Sequence, residues 1–242
     1  MDNPTITIVY DNERCAEGLE VGWGFSAVVS VVGKTILFDT GRDGSVLANM
    51  EKLSIEPGGI DAVVLSHIHS DHTGGLHAFL DRNRRAAVYL PKAFPADFKQ
   101  RAAAFGAKIV EVTGPLEICE NVHTTGVRGR WTKEQGLVIR TPAGAVLLTG
   151  CAHPGAMTMV NAAKTSGADE LLLVMGGFHL EWATKRRTEK LIYHFKRIGV
   201  RHVGPAHCTG KKARALFERH FGPDCINIGA GKVIVTESLG AK

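Results

Sequence analysis

The sequence predicts an α+β protein whose β-rich halves each carry helices on one side. Three observations predict it: short β-branched runs alternate with helix-like segments over the whole length, no low-complexity or Pro-rich linker divides them, and the second half echoes the first. Strands are expected at 5–10, 25–32, 35–39, 61–65, 86–90, 108–112, 137–141, 145–149, 170–174, 202–205 and 232–236, where Val, Ile, Leu, Thr and aromatic residues cluster. Helices are expected near 44–53, 75–82, 95–105, 154–166, 184–198 and 210–220.

The echo is specific. One hairpin turns at Gly33-Lys34 and ends in ILFDTG; another turns at Ala143-Gly144 and ends in VLLTG. Each is followed by a helix and then by an apolar strand that an acid introduces, in IDAVVLSHIH and ADELLLVMGGFH. Two such halves packed sheet on sheet, helices outside, make a four-layer αββα sandwich, while an ordinary α/β sheet fits the alternation equally well. With 242 residues, 44% of them apolar, the chain is expected to form one domain over 1–242.

Composition excludes several classes. No apolar stretch approaches the roughly 20 residues of a membrane span, and the N-terminus lacks a basic-then-apolar signal pattern. The five cysteines are scattered, with no C-x-x-C pair, so a reducing, cytoplasmic setting is expected rather than a disulfide framework. A net charge of +5 favours anionic partners. The cations sit in short runs, RNRR (82–85), KRR (185–187) and KK (211–212), which suits solvated helix faces better than a nucleic-acid surface.

The chemistry concentrates in LSHIHSDHTGGL (65–76), where His67, His69, Asp71 and His72 occupy six positions after an apolar run. His67 and His69, two apart at a strand end, point the same way if strand geometry continues; Asp71 and His72 converge nearby once the chain turns. Gly74 and Gly75 permit a tight turn and close backbone approach. Imidazoles with one carboxylate suit zinc, with manganese or iron as alternatives, in one or two ions. Further donors are expected from strand-end histidines beside glycine: His153 and His207 as ligands, and His179 as a ligand, a substrate contact or an acid/base group. Cys151 is a possible ligand and the adjacent Cys208 a weaker one. Asp39 is expected to orient a ligand histidine, or to act as a turn residue. Trp23 and Phe25 could line a pocket, and Ser26 and Thr209 could contact a phosphate. His77, His123, His194, His202 and His220 lack the strand-end setting and are expected in surface or core roles.

SHIHSDHTGGL, preceded by ILFDTG and followed by a strand-end histidine and GPAH, resembles the metallo-β-lactamase superfamily. The resemblance spans nearly the full chain and implies the αββα sandwich and an H-x-H-x-D-H motif holding one or two metals. VYDN (9–12), GWGFS (22–26), LFDTG, TGCAHPG (149–155), GGFHL (176–180) and HCTG (207–210) are similar to its branch of 7,8-dihydropterin-6-methyl-4-(β-D-ribofuranosyl)aminobenzene-5′-phosphate synthases. One departure stands out: Cys151 falls where hydrolases of this fold place a bridging aspartate, and the ligand histidine they usually carry before it is lacking, a role His153 could take.

The expected function is metal-dependent hydrolysis, or a synthase-type transfer, on an anionic small molecule bearing a phosphate or pyrophosphate, a pterin among the candidates. Asp71 and His179 are the expected catalytic groups. The alternatives are a non-catalytic binding or sensing protein that holds metal, and a nuclease or phosphodiesterase on the same fold, for whose added arm 242 residues leave little room.

Overall fold

The computed structural model describes residues 4–31 and 33–240. Val32, the last residue of the expected strand 25–32, lies outside them. The first half runs β1 (Thr5–Tyr10), β2 (Ser26–Val31), β3 (Lys34–Phe38), α1 (Ser45–Lys52), β4 (Ala62–Val64), α2 (Ser70–Thr73) and α3 (Leu76–Arg82). It continues through β5 (Ala87–Pro91), α4 (Ala96–Ala104) and β6 (Ile109–Val112). The second half runs β7 (Glu117–Cys119), β8 (Val122–Thr124), β9 (Leu137–Thr141), β10 (Gly144–Thr149), α5 (Ala156–Thr165) and β11 (Leu171–Gly177). It ends with α6 (Lys185–Arg197), β12 (His202–Ala206), α7 (Lys211–Phe221), β13 (Val233–Val235) and α8 (Thr236–Gly240).

The strands form two sheets, ordered β13-β1-β2-β3-β4-β5-β6 and β12-β11-β10-β9-β8-β7. In the first, the β2–β3 hairpin is antiparallel, and β4 joins β3 in parallel after the α1 crossover. In the second, the β9–β10 hairpin and the α5 crossover to parallel β11 repeat that arrangement. A parallel neighbour needs such a crossover, so the repeated hairpin, helix and strand in the sequence become the same unit in space.

Alternation along each strand explains the layers. Ile36 and Phe38 point into the core between the sheets, while Leu37 points out to a second core with Val46, Met50, Phe79 and Leu80 from α1 and α3. Val146 and Leu148 likewise face between the sheets, and Leu147 packs outward with Met159 and Val160 of α5 and Phe195 and Phe217 of α6 and α7. Three apolar cores separate four layers, the αββα sandwich. No helix among the described residues is long and apolar enough to cross a membrane. The short strands β7 and β8 and the helices α2 and α8 are absent from the sequence-based expectation.

Candidate metal centre

The functional groups gather where strands of both sheets end. Leu65 keeps its sheet bond to Tyr89, but the next amide, of Ser66, turns to the Asp39 carboxylate at 2.7 Å, releasing the chain from the sheet just before His67. His69 then caps α2, its carbonyl accepting from the His72 and Thr73 amides, so that Asp71 and His72 fall on one short turn. A Cβ on Gly74 or Gly75 would collide with the backbone carbonyls of Arg42 and Thr40, so both positions demand glycine for close approach.

The side chains converge in two groups. In the first, His67 Nε2 and His153 Nε2 each lie 3.2 Å from His69 Nδ1. In the second, His72 Nε2 lies 3.3 Å from His207 Nε2 and 3.2 Å from Cys151 Sγ. Asp71 Oδ2 joins it, 3.1 Å from His207 Nε2 and 3.5 Å from His72 Nε2. All donors of each group lie within 4.8 Å of one another. The groups abut, with the His67 and His72 rings 4.2 Å apart between centroids.

The donor set fits divalent metal. Bonds of about 2.0–2.1 Å at tetrahedral angles place donor nitrogens about 3.3 Å apart, the spacing found here. Hydrogen bonds behind the rings also fix which nitrogen is bare. The Ser66 hydroxyl donates to Asp39 Oδ2 at 2.7 Å, so its oxygen accepts from His67 Nδ1 at 2.8 Å. His72 Nδ1 donates to the same Asp39 oxygen at 2.7 Å, and His207 Nδ1 to Asn12 Oδ1 at 2.9 Å, an oxygen that also accepts the Gly24 amide. Three imidazoles thus turn Nε2 lone pairs into the groups, as metal-ligating histidines do.

The electrostatics call for positive charge. Burial lowers His153 and His207 to about 4 and holds His67 well below its ordinary value, so these rings stay neutral. Burial would lower His72 too, but the Asp39 and Asp71 carboxylates together outweigh it and push His72 up to about 10. Against its own burial, Asp71 is held well below the usual carboxylate range by hydrogen bonds with His207 and His72. Burial, and then the neighbouring Cys208, push the Cys151 thiol well above its ordinary range.

The loop after β10 owes its shape to a residue that sequence reasoning missed. Glu134, fully buried, accepts the amides of Cys151, Ala152 and His153 at 2.8–3.0 Å. Ala152 there has φ of 55°. Asp39, His179 and His207 share that left-handed conformation, so four of the six such non-glycine residues among the described residues lie at this site. Each costs of the order of 1–3 kcal/mol, a strain that surrounding structure must impose. Asn12 was likewise missed, although VYDN marks a polar pair at a strand end.

The remaining expected residues divide. His179 belongs to neither donor group; it is exposed, its ring 4.5 Å from that of His153. Trp23 is 46% exposed and, with Trp182, Glu181, Lys211, Lys212 and Arg214, lines a 540 Å³ cleft that reaches His207. A 170 Å³ recess beside it is lined by His179, Arg187 and Cys208. Three expectations are corrected. Phe25 is fully buried edge-on against Phe38 between the sheets and lines no pocket, because packing there claims the whole ring. Ser26 is buried with its hydroxyl on the Asp39 carbonyl, and buried Thr209 accepts the Phe178 amide, so neither hydroxyl reaches a phosphate.

An αββα sandwich with histidine-rich donor groups at one edge of its sheets defines a class of metal-binding folds. The profile of the metallo-beta-lactamase superfamily matches residues 21–172, and the chain belongs to that superfamily. It is 30% identical to the 7,8-dihydropterin-6-methyl-4-(beta-D-ribofuranosyl)-aminobenzene-5'-phosphate synthase of Methanocaldococcus jannaschii, over 87% of this chain and 89% of that protein. Among solved structures it resembles Tm1679, a metal-dependent hydrolase of the beta-lactamase superfamily, with a TM-score of 0.81 and 29% identity over 96% of this chain and 98% of that one. The metallo-beta-lactamase fold protein YhfI of Bacillus subtilis shares the fold at 15% identity, with a TM-score of 0.73 over 97% of this chain and 99% of its own.

Proposed function

We propose that this protein is a metal-dependent hydrolase or transferase acting on a small molecule that carries a phosphate or pyrophosphate. The observation that carries the reading is the pair of abutting donor groups beside a cleft lined by Lys211, Lys212 and Arg214. His67, His69 and His153 would hold one zinc ion, and Asp71, His72 and His207 a second; manganese or iron are the alternatives for the same donors. When bound, the ions supply Lewis acidity and an acidified water.

The chain's own residues supply the rest. Asp71, with Oδ2 3.1 Å from His207 Nε2 and 3.5 Å from His72 Nε2, would close the second donor group with a negative charge. His179, outside both donor groups with its ring 4.5 Å from that of His153, would pass a proton to a leaving oxygen or hold the substrate. Lysine and arginine side chains along the cleft would offset the substrate's negative charge, and the exposed Trp23 and Trp182 rings would stack on a planar group. In the transfer version, suggested by the methanogen relative, an arylamine or its ring replaces water. Its nitrogen or ring carbon forms the new bond to the pterin-bearing carbon as the carbon–oxygen bond to pyrophosphate breaks, pyrophosphate leaves with the electron pair, and the nucleophile's proton passes to solvent.

The test is metal analysis of the purified protein followed by a screen of phosphoesters and pterin pyrophosphates with a chelator-treated control. About two metal equivalents and chelator-sensitive turnover are expected. Protein that takes up no metal after incubation with zinc, manganese and iron would defeat the proposal. His69→Ala is expected to abolish turnover and lower metal content while leaving the unfolding free energy of the metal-free protein within about 0.5 kcal/mol of wild type, because His69 is exposed.

A further inference from the structure

We infer that Glu181 selects a substrate whose planar ring presents two adjacent N–H donors, the 2-amino-4-oxopyrimidine edge shared by pterins and guanine, and that Trp23 and Trp182 stack on that ring. The inference rests on the proposed function for its phosphate-bearing substrate and names the ring that substrate carries. Trp23, Glu181 and Trp182 are common to the linings of the 540 Å³ cleft, which reaches His207, and the 170 Å³ recess, which reaches His179. A ligand that extends from one hollow to the other passes along these three side chains.

Charge singles out Glu181. In the cleft, Lys211 has Glu13 at 3.4 Å, and Arg214 is held by Asp11, Asn227 and the Ile228 carbonyl. Among the described residues, the side chains of Glu181, Lys212 and Arg187 have no hydrogen-bond or ion-pair partner. An unpaired carboxylate on the path of an anion repels it unless a donor-bearing part of the ligand covers the charge. The fold makes room for this carboxylate. The Glu181 amide donates to the Cys208 carbonyl at 3.1 Å, and position 210 is glycine with φ of 76°, where a Cβ would collide with the Glu181 carboxylate. Two carboxylate oxygens in one plane accept two parallel N–H donors at once, which the 2-amino group and N3–H of the ring supply. The tryptophans supply the faces: Trp23, 46% exposed, stands 4.8 Å from the His207 ring, and Trp182 is 94% exposed, aromatic surface that a planar ring would cover. Lys212 in the cleft and Arg187 in the recess are then left for phosphate groups.

Calorimetric titration of the full chain with 2-amino-4-oxopteridine, its 2,4-dioxo analogue and guanosine diphosphate tests this without an activity assay. The dioxo ring turns one donor and one acceptor toward the carboxylate, so wild type is expected to bind the amino ring at least about tenfold more tightly. Glu181→Gln, whose amide offers one acceptor and one donor, is expected to erase or reverse that preference while keeping the metal content of wild type. Trp182→Ala is expected to weaken both pteridines by about the same factor and to keep the preference. Glu181-dependent binding of the nucleotide, with none of the amino pteridine, would assign the edge to a purine. Equal binding of the two pteridines by wild type, a preference that survives in Glu181→Gln, or binding of neither amino-bearing compound would overturn the inference and leave the metal-dependent function standing. Failure to take up metal, measured separately, would overturn the proposed function instead.

Discussion

The two halves of this fold use one hairpin, helix and parallel strand unit for different ends. In the first half, β3 and β4 deliver Asp39, Ser66, His67, His69, Asp71 and His72 from neighbouring strand ends, and Asp39 alone ties His72 directly and His67 through Ser66. In the second half, β10, β11 and β12 each deliver one loop, and although Thr209 and Cys208 tie the loop after β12 to the loop after β11, none of those bonds holds a donor side chain. Their anchors come from outside: Glu134 for Cys151 and His153, Asn12 and Asp11 for His207. The first half is organised locally and the second by tertiary contacts.

That difference predicts graded consequences. Asp39→Ala removes the tie shared by both groups and leaves His72 and Ser66 buried without their acceptor. A loss of about 3–5 kcal/mol is expected, the cost of breaking one side of a buried pair, together with failure of both groups to hold metal. Urea unfolding and metal analysis measure it. A variant that retained the metal content of wild type would show that Asp39 only shapes its turn.

Glu134→Gln should act on the second half alone. The amide side chain can accept from some of the three backbone N–H groups but brings its own NH₂ against another, so about 2–3 kcal/mol of stability is expected to go. With the loop released, His67 and His69 lack their third partner, while Asp71, His72 and His207 remain. Metal content is expected to fall to about one equivalent, since three protein donors suffice for a catalytic ion. Equal loss from both groups would contradict the division between halves.

The same contrast explains how much the sequence could tell. HIHSDH and LFDTG are legible because their residues are neighbours in sequence, and a strand end with glycines brings neighbours together in space. His153 and His207 are legible only as strand-end histidines. Glu134 is not, because its three partners follow 17 to 19 residues later and no periodic pattern marks it. Phe25, Ser26 and Thr209 misled for a common reason: an aromatic or hydroxyl near a strand end looks available until packing or a backbone partner claims it. Whether one sheet or two was open, because strands such as β3 and β10, buried on both faces, read as the same apolar runs in either architecture. Strands β7 and β8, three residues each with Glu117, His123 and Thr124 among them, are too short and polar to show a period.

Asn12→Ala probes the second half more gently. It removes the acceptor behind His207 Nδ1 and frees that ring to rotate or change tautomer, without touching the loop after β10. Metal affinity of the Asp71, His72 and His207 group is expected to drop about 10–100-fold, with about 1 kcal/mol lost in stability. Competition with a chelator of known affinity reads the first, and chemical unfolding of metal-free protein the second.

The smallest expected effect separates site from cleft. Lys212 lines the cleft and belongs to neither donor group, whereas its neighbour Lys211 also reaches Glu13 at 3.4 Å. Exposed charges of this kind contribute about 0.5–1 kcal/mol, so Lys212→Ala should raise KM for a phosphate-bearing substrate about two- to fivefold and leave kcat and metal content unchanged. The effect should shrink as salt is added, because charges that act through solvent are screened over about 10 Å at 0.1 M ionic strength. Lys211→Ala gives a smaller rise if Glu13 already offsets that charge. A fall in kcat in either variant would place these lysines at the reacting atoms instead of along the path that the anion takes to them.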